Sequence, residues 1–99
     1  MDEINVLVVD DQRLIREGIA SLLDIQEGIK VIGTAGNGVE ALEQIAQARP
    51  DIALVDVRMP VMDGIAATAE IRRRYPECRV LMLTTFDAVS YTHLTLPTN

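Results

Sequence analysis

Residues 51–64 read DIALVDVRMPVMDG. The apolar run 52–55 has the length of a buried strand and delivers a single carboxylate, Asp56, at its carboxyl end. Met59-Pro60 then turns the chain toward a helix that opens near Asp63-Gly64. In an open parallel sheet, ligands gather just beyond the carboxyl ends of the strands, so a carboxylate here sits where chemistry is done. Asp56 is the first candidate residue.

The flanking sequence repeats the pattern. Residues 4–9, INVLVV, form a continuous apolar run bounded by charge, which reads as a fully buried strand, and Asp10-Asp11 follow at once. From Gln12 onward, Leu14, Ile15, Ile19, Leu22 and Leu23 recur at three- and four-residue spacing and mark one apolar helical face, with Asp11 in place to cap the helix. Residues 30–35 read as a weaker strand ended by the Gly36-Asn37-Gly38 turn. Val39, Leu42, Ile45 and Ala46 pattern a second helix that Arg49-Pro50 stops. A third helix is expected over residues 64–75, with Ile65, Ala67, Thr68 and Ile71 on or near its buried side and Pro76 beyond it. Residues 79–83 form a fourth apolar run, closed by Thr84 and Thr85. The order βαβαβαβ predicts an α/β fold in three layers, a parallel sheet joined by right-handed crossovers with helices on both faces.

Composition narrows the class. With 99 residues, 48% of them hydrophobic and 24% charged, the chain suits one small domain with a single core. Its net charge of -6 gives no electrostatic footprint for direct nucleic-acid binding or for an anionic membrane. Arg72, Arg73 and Arg74 read as a solvated helix end that complements the dipole. Cys78 is alone, so no internal disulfide forms. No signal-peptide layout is present, and no apolar run approaches the roughly 20 residues of a membrane span. A cytoplasmic domain is the expectation. Met59, Met62 and Met82 read as packing residues, and His93 has no partner at metal-ligand spacing. Residues 88–99, AVSYTHLTLPTN, break the pattern and read either as an alternating edge strand over 91–96 or as a tail foreign to the domain.

With the first and third strands as neighbours, Asp10, Asp11 and Asp56 converge at one end of the sheet. Three carboxylates repel one another and raise at least one pKa unless a cation neutralises them. An all-oxygen site with room for water suits Mg2+. Such an ion screens an incoming phosphoryl group from the carboxylate that attacks it, and aspartyl phosphate is the covalent outcome of that chemistry. Thr84 is placed to donate a hydroxyl hydrogen bond to a phosphoryl oxygen. A dinucleotide enzyme would need G-x-G-x-x-G where Asp10-Asp11 stand. A phosphatase with an aspartyl nucleophile resembles a family that places a second acid two residues on, where Arg58 stands.

Taken together, Asp10-Asp11, Asp56, Met59-Pro60, Asp63-Gly64 and the LMLTT run resemble a response-regulator receiver domain over residues 4–87. The resemblance implies a flavodoxin-like fold with strand order 2-1-3-4. It implies Asp56 as phosphoacceptor, Asp11 as a direct Mg2+ ligand, and Asp10 as its partner, often through water. Arg58 would supply a backbone carbonyl to the metal and Thr84 the switch hydroxyl. The phosphodonor would be a sensor histidine kinase, and the chain a signalling switch, not a turnover enzyme. The VDVRMPVMDG and LTTFD wording is most similar to receivers that control a helix-turn-helix DNA-binding output domain, for which no sequence is present. The family also uses a lysine after a fifth strand. The one lysine, Lys30, falls at the far end of the sheet from the aspartates, and residues 88–99 match no fifth strand or later helix. The expected division is therefore a partial receiver over 1–87 and an atypical tail over 88–99. A receiver fold that accepts no phosphate and serves as an interaction module is the alternative. A fourth strand left apolar on both faces would favour a homodimer or aggregation through its exposed edge, and deleting residues 88–99 would lower solubility.

Overall fold

The computed structural model describes residues 3–57 and 63–83. Seven elements alternate along them: β1 (Ile4–Val9), α1 (Arg13–Asp24), β2 (Ile29–Ala35), α2 (Gly38–Ala48), β3 (Ile52–Asp56), α3 (Gly64–Arg74) and β4 (Arg79–Leu83). The described strands pair in parallel in the order β2-β1-β3-β4. The β1-to-β2 connection steps one way across the sheet and the two later ones step the other way. Right-handed crossovers therefore put α1 on one face and α2 with α3 on the opposite face. The core lies under the α2/α3 layer, where Leu7, Val9, Ala53 and Val55 of the sheet meet Ala41, Ile45, Ala67 and Ile71 of the helices. Val6 and Val8 alternate to the α1 side and are also buried.

The helices bury narrower stripes than their sequences predict. No residue of α1 is fully buried, and Leu14 and Leu22 are 86% and 66% exposed. Each is next in sequence to an inward residue, Ile15 or Leu23, and neighbours on a helix are about 100° apart, so only one of each pair faces the sheet. In α2 the buried positions are Gly38, Ala41 and Ile45, while Val39 and Ala46 are exposed. In α3 Ala67 and Ile71 are buried, but Ile65 is 65% exposed. Small side chains such as Ala41 and Ala67 occupy the contact line because they let the helix approach the sheet closely, a demand that apolar periodicity does not register.

Helix ends carry a second correction. Asp11 does not cap α1: the N-cap is Gln12, whose side chain makes no capping hydrogen bond. Asn37 and Asp63 do cap, accepting from Glu40 N at 2.9 Å and Ala66 N at 2.7 Å. Helix α2 ends at Arg49, in the left-handed region at φ 51, with its guanidinium over the Tyr75 ring and 3.0 Å from Glu77. The three arginines that close α3 are exposed in its last turn, as expected. Met82 is 40% exposed and does not act as a packing residue. It lies on β4, the outer strand of the described sheet, with no described neighbour beyond it to pack on. Arg58, Met59, Pro60, Met62, Thr84, Thr85 and the whole of 88–99 lie outside the described residues.

Candidate functional site

Register assembles the carboxylates. Val9 of β1 pairs with Val55 of β3, so the next residue of each strand, Asp10 and Asp56, stand side by side at the carboxyl ends. Both are buried, and Asp11, one step further, is the exposed member. One oxygen from each of the three lies within 4.8 Å of the others.

Asp10 is fixed on every side but one. Its N–H donates to Ala35 O at 3.0 Å, continuing the β1–β2 ladder. Its Oδ1 accepts from Gln12 N at 2.9 Å, and its carbonyl accepts from Arg16 Nη1 at 2.8 Å. Its Oδ2 is buried without a hydrogen-bond donor. Burial pushes the Asp10 carboxyl above its ordinary value, against the pull of the Gln12 N–H. The charges of Asp56 and Asp11 push it further up, as does a carboxyl–carboxylate hydrogen bond with Asp11 that only a protonated form can make.

The donor set fits a hard cation. Opposite ligands of octahedral Mg2+ stand roughly 4.2 Å apart, and a set of carboxylate oxygens all within 4.8 Å of one another is compact enough to share such an ion, directly or through water. An orphaned buried carboxylate oxygen is the feature such an ion resolves. Lys30 pairs with Asn5 at the amino end of the sheet, as its place in the sequence predicts, and cannot reach the cluster. A cavity of about 450 Å³ also lies at that end, lined by Arg72, Pro76, Cys78, Arg79 and Val80. It offers no carboxylate and takes no part in cation chemistry.

Two residues bear on the site that sequence reasoning missed. Gly64 reads as a turn residue, but α3 starts directly against the phosphoacceptor candidate's backbone. A Cβ at Gly64 would lie 2.6 Å from Val57 Cα and 2.9 Å from the Asp56 carbonyl carbon, distances no side chain tolerates. Gly64 N donates to Val57 O at 2.9 Å, closing the loop after β3. Arg16, which no sequence pattern singles out, reaches back to Asp10. A glycine straight after a capping aspartate hints at the first contact, and no local signal marks the second.

Comparison with known proteins agrees with this geometry. The family model described as "Response regulator receiver domain" matches residues 6–97. The chain belongs to the response regulator receiver domain family. The receiver is 49% identical over 83 residues to the transcriptional regulatory protein LnrK of Bacillus subtilis (strain 168), an alignment covering 84% of this chain and 38% of that protein. It is 43% identical over 83 residues to the response regulator protein VraR of Staphylococcus epidermidis, covering 84% and 40%. The chain thus spans well under half the length of these curated relatives. Among solved structures, the signal receiver domain of the response regulator NarL from Mycobacterium tuberculosis superimposes with a TM-score of 0.80 at 38% identity, over 95% of this chain and 77% of that one. The flavodoxin-like receiver fold and its 2-1-3-4 strand order are thereby shown. Among the described residues no helix is long and apolar enough to cross a membrane.

Proposed function

We propose that this receiver is the phosphoacceptor switch of a cytoplasmic two-component system, phosphorylated on Asp56 in a Mg2+-dependent step by a sensor histidine kinase. The observation that carries the reading is the cluster of Asp10, Asp11 and Asp56, together with the buried Asp10 Oδ2 that has no donor. Asp11 and Asp56 would hold the cation directly and Asp10 through water, with the Arg58 carbonyl as a further ligand. When bound, the cation would offset the carboxylate charge and shield the incoming phosphoryl group. An Asp56 carboxylate oxygen then attacks phosphorus as the phosphorus–nitrogen bond of a phosphohistidine breaks, leaving an acyl phosphate on Asp56 and a free imidazole on the kinase. Thr84 would donate its hydroxyl to that phosphoryl group. The product is a conformational signal, so the domain is a switch and not a turnover enzyme. LnrK is named a transcriptional regulatory protein and the chain matches 38% of its length, which supports control of a DNA-binding output domain lying outside this sequence.

One observation favours a second reading. Lys30, the one lysine of the chain, is at the wrong end of the sheet, which leaves room for a receiver that accepts no phosphate and works as an interaction module. The division into a receiver over 1–87 and an atypical 88–99 belongs to the same proposal, as does a homodimer through the β4 edge. Titration with Mg2+ or Mn2+ tests the site: wild type binds weakly and Asp11→Ala abolishes binding. Equal affinity in the two would remove Asp11 from the ligand set.

A further inference from the structure

We propose that Arg16 is a positioning residue for the cation site, setting the direction of Asp11 by holding the peptide that joins it to Asp10. The proposal rests on the cation reading of the three carboxylates. Arg16 lies on the first turns of α1 and is half-buried. Its Nη1 donates to the Asp10 carbonyl at 2.8 Å, six residues back in the chain. Among the described residues it forms no ion pair within 4.0 Å, and Glu17, the acid next to it, is paired with Arg13 at 2.8 Å. The guanidinium also lies against the turn between β2 and α2. A Cβ at Gly36 would come within 3.3 Å of the same Nη1, and Gly36 N donates to Glu40 Oε1 at 2.9 Å on the other side. One side chain thus ties α1 to the end of β1 and stands beside the turn after β2.

The consequence falls on Asp11. The Asp10 carbonyl and the Asp11 N–H share one rigid peptide plane, so fixing the oxygen fixes the plane and with it the bond from which the Asp11 side chain departs. Of the three carboxylates, Asp11 alone is exposed, so packing does not hold it, and the pinned peptide does. A guanidinium suits the task because it stays charged at any working pH, and its hydrogen bond to a carbonyl is charge-assisted. Outer partners that orient ligands in this way typically alter metal affinity by about 10-fold or more when removed.

The test compares wild type, Arg16→Met and Arg16→Lys by Mn2+ titration well below each protein's melting temperature, with amide exchange at Gln12 followed in metal-free protein. Arg16→Met is expected to bind about 10-fold more weakly and to exchange the Gln12 amide faster, while Arg16→Lys recovers most of the affinity. Loss of a cation beside an acidic site would by charge alone tighten metal binding, so the expected weakening separates positioning from electrostatics. Binding by folded Arg16→Met as tight as wild type, or tighter, would overturn the proposal even if its melting temperature falls. Should Arg16→Met fail to fold, Arg16→Gln is judged by the same criterion. Absence of Mn2+ binding by wild type would instead overturn the cation reading itself, and this proposal with it.

Discussion

Asp10 holds a carboxylate where the fold alone gives it too little support. It is fully buried, its Oδ2 has no donor, and two more carboxylates have oxygens within 4.8 Å of it. Its folded pKa is raised, so protonation of Asp10 adds stability that is fully present below the ordinary carboxylate value and lost as pH rises through the folded value. Above that folded value the metal-free domain bears the cost of an ionised Asp10. Asp10→Asn keeps an oxygen for the Gln12 N–H and removes the charge. It is expected to raise the Tm of the metal-free protein at pH 7, with the gain shrinking toward zero at pH 3. Thermal melts across that range in chelator decide the matter, and an Asn variant no more stable than wild type at pH 7 would contradict the assigned cost. The cluster itself was legible in the sequence, because two short apolar runs each ending in Asp fix a parallel register that leaves little freedom. Arg16 and Gly64 were not, since their roles depend on which backbone stands opposite them, and that is settled only when α1 and α3 have docked.

All four strands, three helices and the strand order follow from apolar runs punctuated by glycine, proline and charge, and the structure reproduces them closely. The helix faces were less legible: Leu14, Leu22, Val39 and Ile65 are apolar and exposed, while the contact line runs through Ala41 and Ala67. Apolar periodicity reports what could be buried, whereas close helix–sheet approach selects what is small. The β4 strand extends the same theme. Leu81 and Met82 are 53% and 40% exposed on adjacent positions, hence on opposite faces of the outermost described strand. These exposed apolar side chains are the basis of the proposed edge contact. Sedimentation at high micromolar concentration is expected to show dimers or larger species for wild type and a shift toward monomer for Leu81→Lys. A wild type that stays monomeric throughout would remove the proposed edge contact.

Across the fold, the strands deliver their carboxylates to one end while the basic residues Arg72, Arg73, Arg74, Arg79 and Lys30 gather at the ends of elements away from it. The three clustered carboxylates make the site end the place where a cation is favoured. This polarity was readable once the βαβ order was in hand, because alternating parallel strands all point their carboxyl ends the same way. Lys30 lies at the opposite end of the sheet from the cluster and takes no part in the proposed phosphotransfer. The most direct measurement incubates wild type and Asp56→Asn with acetyl phosphate and Mg2+ and locates the modified residue by mass spectrometry. Labelling of Asp56 that disappears in Asp56→Asn and in chelator is the predicted result; label on Asp10 or Asp11, or equal labelling of the Asn variant, would contradict it.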